Sequence, residues 1–313
     1  MDRLFVVTPS PHITSKRTTA TIMRDVVIAL MPALVASVIF FGLRALLVEA
    51  VCVVSCILFE YLSRRVMKRE NTISDWSAVV TGLLLAYNLP VSIPLWMAVL
   101  GSFFAIVIVK QLFGGIGQNF ANPAITARIF LFVSFAGAMT TWMPPFYYSG
   151  KVDAVSVATP LTDIAAANTL DLFLGNVPGC LGETSALALL IGGIYLVVRK
   201  IISPAIPAMY LGTVFVLSLC FGVDPVKELF AGGVMLGAIF MATDYSTSPT
   251  TLKGKLIFGF GCGLVTICIR VFGNYPEGTS FAILFMNVVC PLIDRYTKTK
   301  PFGTEKEKRA KEA

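Results

Sequence analysis

The chain has 313 residues, 25 Lys and Arg against 18 Asp and Glu, and a net charge of +7. With 56% hydrophobic residues, 14% charged residues and a mean hydropathy of +0.79, it is too apolar for an ordinary soluble domain, where about a quarter of residues are charged. The basic residues are scattered between apolar runs, which excludes a nucleic-acid-binding patch and points to a polytopic membrane protein in contact with lipid.

The first twenty residues, MDRLFVVTPSPHITSKRTTA, lack the charged, apolar, small-residue order of a signal peptide, so the N-terminus is expected to be retained. Ten membrane spans are expected, at 25–43, 45–63, 77–90, 94–113, 124–138, 185–201, 205–222, 227–243, 255–273 and 278–294. The third and fifth are short and end in Pro or Gly, as broken helices do. Such backbone survives at membrane depth only where protein buries it or a cavity receives it. Cys52 and Cys56 lie one helical turn apart in an apolar run and read as small buried side chains. Seven Cys without a CxxC and one His, His12, predict no metal site built by this chain.

Lys and Arg set the orientation. With the N-terminus in the cytoplasm, all but Arg44, Lys151, Lys227 and Arg270 fall on the cytoplasmic side, Lys110 and Arg128 among them. The C-terminus is then cytoplasmic too, and the loop with Asp153, Asp163, Asp171 and Glu183 is outside. The expected organisation is a cytoplasmic segment 1–24, a five-helix unit 25–138, an extracytoplasmic loop 139–184, a second five-helix unit 185–294 and a charged cytoplasmic tail 295–313.

The two units echo each other. LLLAYNLPVSIPLW (83–96) and IFMATDYSTSPTTL (239–252) each end an apolar span in a polar break with Pro. IVKQLFGGIGQNFANPA (108–124) and CIRVFGNYPEGTSFA (268–282) each run from a basic residue through Phe-Gly and a polar turn into a new helix. Five spans per unit force the second to run inverted. The fold class is therefore an all-α polytopic membrane protein of about ten transmembrane helices in two inverted five-helix repeats, with broken helices. Polar breaks put Asn88, Asn119, Asn122, Asp244, Glu277 and Asn287 near membrane depth. Asp244 and Glu277 stand out, because a carboxylate there is costly and tends to be functional. Glu49 and Glu60 lie near span ends, where interfacial snorkelling explains them.

Between the units runs KVDAVSVATPLTDIAAA (151–167), small, polar and acidic. Together with SPHI (10–13), FGGIGQNFANPAITARIFLF (113–132), ATDYSTSP (242–249) and YPEGTSFAILFMNVVCPLID (275–294), it carries a resemblance over nearly the whole chain. The chain resembles the RnfD component of the Rnf complex, the ion-translocating ferredoxin:NAD oxidoreductase, and more distantly the NqrB component of the sodium-pumping NADH:quinone reductase.

The resemblance implies FMN bound covalently, through a phosphoester, to Thr159, attached by a flavin transferase that recognises the acidic position Asp153. The link calls for an accessible hydroxyl on extended backbone, and Pro160 holds Thr159 away from helix. Val157 stands where the family has Gly; Thr162 and Ser156 are competing acceptors. The resemblance also implies a second, non-covalent flavin, riboflavin, assigned to Asn119 and Asn122. GGIG lacks the Lys-Ser/Thr of a phosphate-binding loop. The implied function is electron transfer coupled to Na+ or H+ movement in the cell membrane, with flavin and iron–sulfur centres on partner Rnf subunits. Asp244, Glu277 and Asp294 are the candidate ion path, and no residue is assigned a catalytic role. The alternatives are a urea-transporter-like solute channel and a purely structural membrane anchor.

Overall fold

The computed structural model describes residues 17–149, 157–162, 164, 167–273 and 277–299. The SPHI motif with His12, Lys151, Asp153, Ser156, Asp163, Asn274 and the tail from Lys300 lie outside the described residues. Regular structure among the described residues is helical: α1 Thr19–Phe41, α2 Leu43–Val66, α3 Ser77–Tyr87, α4 Leu95–Phe103, α5 Pro123–Ser134, α6 Ala136–Met139, α7 Thr169–Leu174, α8 Ala186–Val198, α9 Ala205–Cys220, α10 Pro225–Phe230, α11 Val234–Leu236, α12 Leu252–Phe272 and α13 Thr279–Thr297.

Of these, α1, α2 and α12 are each long and apolar enough to cross a membrane alone. The helices α3, α5, α8 and α9 are shorter apolar segments, as is the run Leu95–Gln111. The breaks expected from the sequence are present, with shifted bounds. The third expected span stops at Tyr87, where Asn88 N and Leu89 N fold back onto Leu85 O and Ala86 O just before Pro90. The fifth stops at Ser134. The expected span 227–243 is divided between α10 and α11, with extended backbone at Ala231 between them.

Two helices end in wide π-type turns, over Phe104–Gln111 and Gly237–Met241. Their five-residue spacing is visible in Leu112 N to Val107 O and Ala242 N to Gly237 O. Such widened turns recur where a helix is opened for function.

Small residues let the helices approach closely. α1 packs on α8, where a Cβ at Gly192 would lie 2.1 Å from Ala29 O. Gly259 and Gly263, four apart on α12, meet the Tyr210 backbone of α9, a small-xxx-small contact. α5 packs on α13, and the interior seam is lined by residues such as Leu85, Ile125, Leu236 and Ile283.

The structure corrects the reading of two basic residues. Lys110 and Arg128, counted on the cytoplasmic side, are buried and ion-paired. Lys110 Nζ sits 2.7 Å from Glu60 Oε2 and 2.7 Å from Ser77 Oγ. Glu60 is wholly buried, so it is a partner in the core and not a snorkelling interfacial acid. Glu49 is also buried, and its Oε1 accepts from Ser37 Oγ at 2.6 Å. These charges are matched by opposite charge or a hydroxyl inside the protein, so Lys110 and Arg128 do not report which side faces the cytoplasm.

Candidate functional site

Thr159 lies on the wall of a cavity of about 520 Å3, within the ~300–1,000 Å3 typical of small-molecule pockets. Arg128 and Phe132 come from α5, Trp142 from the following loop, and Glu277, Ser280 and Phe281 from the entry to α13. The segment carrying Thr159 is fixed by its backbone: Val157 N donates to Trp142 O at 3.0 Å, and Pro160–Thr162 form a tight turn. Thr162 N and Oγ1 both donate to Thr159 O, at 3.1 and 2.7 Å.

Thr159 is only 6% exposed, and its Oγ1 is buried without a hydrogen-bond partner. A buried hydroxyl left unpaired is costly and uncommon. The sequence led to an accessible hydroxyl; the structure holds it inside, against the cavity. The Thr162 hydroxyl, by contrast, is already committed to a carbonyl. Of the two acceptors among the described residues, Thr159 is the one with a free oxygen. Ser156 is outside them.

Behind this wall sits a buried charge cluster centred on Arg128. Its Nη1 donates to Asn88 Oδ1 and Ser280 Oγ, both at 2.9 Å. Its Nη2 pairs with Glu277 and approaches Cys180 Sγ at 3.6 Å, while Glu183 Oε2 lies 3.9 Å from Nη1. The loop before α8 is docked onto the broken end of α3, Leu181 N to Leu89 O at 3.0 Å and Gly182 N to Tyr87 O at 3.1 Å. A Cβ at Gly182 would fall 2.1 Å from Tyr87 Cγ, so only glycine allows this docking.

Cys180, Glu183 and Glu277 place ligand-type atoms within 4.8 Å of one another. The arrangement does not read as a metal centre. All three groups already face the Arg128 guanidinium. The guanidinium already supplies the cluster's positive charge.

A second, smaller cavity of about 100 Å3 brings together Asn119, Asn122, Asp244 and Lys110. Asn122 caps α5, its Oδ1 accepting from Ala124 N at 3.0 Å and Ile125 N at 3.3 Å, and its Nδ2 donates to Met241 O at 3.3 Å. Asn119 Oδ1 is buried without a partner. Asp244 accepts from Ser246 Oγ at 3.1 Å and Thr247 Oγ1 at 3.3 Å. Asn119 and Asn122, to which the second flavin is assigned, both line this cavity. Asp294 lines neither cavity; it accepts from Thr250 N at 3.1 Å and Thr250 Oγ1 at 3.3 Å, tying the break after Met241 to α13.

The structure thus sorts the sequence candidates: Thr159 with Glu277 in one cavity, Asn119 and Asn122 with Asp244 in the other, Asp294 apart. α5 joins the two, with Asn122 at the small cavity and Arg128 six residues on, a rise of about 9 Å. Sequence reasoning missed Arg128 and Glu183 as site residues. The signal was present in ITARIFLF: a lone Arg inside an apolar helix needs a buried partner.

Comparison with known proteins gives the family. The model of the NQR2, RnfD, RnfE family matches residues 6–303. The chain is 51% identical over 315 residues to the RnfD-type component of the Na(+)-translocating ferredoxin:NAD(+) oxidoreductase complex of Acetobacterium woodii, covering 98% of both chains. It is 42% identical over 324 residues to the corresponding component of the proton-translocating ferredoxin:NAD(+) oxidoreductase complex of Clostridium ljungdahlii, covering 97% of both. It is 37% identical over 348 residues to that of the ion-translocating oxidoreductase complex of Aliivibrio salmonicida, covering 96% of this chain and 99% of that one. A match of this extent, running through both cavities and the segment between the helical units, makes the chain a member of the NQR2, RnfD, RnfE family.

Proposed function

We propose that this chain is the flavin-carrying electron-transfer subunit of a redox-driven Na+ or H+ pump that couples ferredoxin:NAD electron transfer to ion translocation. Family membership supports the pump, since relatives of near-equal length are named as subunits of such complexes. The observation that carries the flavin is the unpaired, buried Thr159 hydroxyl facing a cavity of about 520 Å3. An FMN esterified to Thr159 would supply one-electron chemistry. Thr159 would hold its phosphate, with Phe132, Trp142 and Phe281 as apolar walls that exclude water.

The same reading has ten crossings in two inverted halves in the cell membrane, with both termini cytoplasmic. Lys110 and Arg270 support the correspondence of the two halves. Each sits on the fourth helix of its half and reaches the entry of the third: Lys110 to Ser77 Oγ at 2.7 Å, Arg270 to Ala231 O at 2.8 Å. Partner Rnf subunits bring the flavin and iron–sulfur centres that exchange electrons with it, and a flavin transferase loads Thr159 before the segment closes over it. Asp244, Glu277 and Asp294 remain the candidate ion path.

Mass spectrometry of the peptide containing Thr159, from chain co-produced with its transferase, tests the reading. The expected result is an FMN adduct on Thr159 and a band fluorescent under ultraviolet light in denaturing gels. An unmodified peptide and a dark band refute it, and favour a solute channel or a structural anchor.

A further inference from the structure

We propose that Arg128 and Glu277 are opposed positioning charges for the flavin cavity, Arg128 raising and Glu277 lowering the reduction potential of a flavin held on Thr159. This rests on the reading above that Thr159 carries one. Among the described residues lining the cavity these two are the charged ones, and they sit between aromatic walls. Charges in such a dry site act at low effective dielectric. Arg128 is gripped from behind by Asn88, Ser280 and the Glu183 carboxylate, so its place does not depend on Glu277. Glu277 is held less firmly. Its side chain is 14% exposed, and its Oε1 has no hydrogen-bond partner.

The balance is simple. One electron from a partner's redox centre enters the flavin; no bond of this chain forms or breaks. The added negative charge is stabilised by the guanidinium and opposed by the carboxylate. Arg128 and Glu277 bring opposite charges to the cavity wall, so Glu277 holds down a potential that Arg128 would otherwise lift. The two residues should therefore move the potential in opposite directions. A mere loosening of the cavity would move it the same way for both.

The test is potentiometric titration of the assembled complex by absorbance, with the Thr159→Val complex as the spectral blank. Glu277→Gln is expected to raise the potential by about tenfold in the one-electron equilibrium, or about 59 mV. Arg128→Gln is expected to lower it comparably, and Arg128→Lys, which keeps the charge, to shift it less. If Arg128→Gln does not assemble, Glu277→Gln and Arg128→Lys decide: an upward shift in the first that exceeds the change in the second supports the proposal. Unmoved potentials, or shifts of one sign in both positions, overturn it. In-gel fluorescence is read first. A dark wild-type band sinks the flavin reading itself, whereas a bright band with an unmoved potential sinks only the charge-pair inference.

Discussion

Lys110→Met should be among the most destabilising single changes in the chain. The side chains of Lys110 and Glu60 are 3% and 0% exposed, with 2.7 Å between Nζ and Oε2. Glu60 Oε1 keeps its bond from Thr72 Oγ1 at 2.8 Å, but Oε2 would lose its only counter-charge. Removing one partner of a buried pair costs about 3–5 kcal/mol, because the other charge stays buried and uncompensated. Removing both is different. In Lys110→Met/Glu60→Leu no charge is stranded, and Thr72, which is partly exposed, can turn to water. The double variant should lie within about 1 kcal/mol of wild type. Reversible SDS titration of the reconstituted chain, followed by tryptophan fluorescence, gives all four corners of the cycle. A single-variant loss below about 1 kcal/mol, or a double variant as unstable as Lys110→Met alone, would refute a dry ion pair at this position.

Three more outcomes are expected. Thr162→Val should keep the in-gel flavin signal and lose about 1 kcal/mol of stability with the bond to Thr159 O, whereas Thr159→Val should abolish the signal; loss of signal in both would move the acceptor to Thr162. Gly192→Leu should block folding, since even its Cβ would lie 2.1 Å from Ala29 O, while Gly212→Ala, which meets nothing within 4 Å, should be neutral or stabilising by up to about 1 kcal/mol in the same titration. Asn122→Ala should cost about 1 kcal/mol through the lost cap of α5 and somewhat more through the freed Met241 carbonyl; thermal unfolding that matches wild type would show the cap to be dispensable.

The helical class and the breaks at Asn88 and Asp244 were legible in the sequence, because each leaves a local mark, an apolar run or a Pro near a polar residue; Thr159 was named by the resemblance alone. Pairings were not legible. Arg128 and Glu277 are 149 residues apart, and nothing near either one names the other. Counting Lys and Arg by side therefore did not reveal that Arg128 is buried and paired, nor Lys110, whose acid lies 50 residues back. The burial of Thr159 was hidden for a similar reason. It depends on Trp142 receiving Val157 and on α13 closing the far wall, both non-local.

Broken helix ends, rather than continuous helices, stand between the two cavities. Asn88, at the end of α3, accepts from Arg128 at the large cavity and donates to Leu84 O at 2.6 Å and Met241 Sδ at 3.8 Å. The carbonyl of that same Met241, at the close of a wide turn, accepts from Asn122 at the small cavity. Each of these groups is free to bond sideways only because its helix stops or widens there; inside a regular helix the carbonyl of Met241 would be taken by its own chain. The interruptions cost helix stability, and what they supply is a buried polar link from the Arg128 cluster to the Asp244 cavity, parallel to the rigid spacing set by α5. Closing those breaks into continuous helices would gain backbone hydrogen bonds and lose this link.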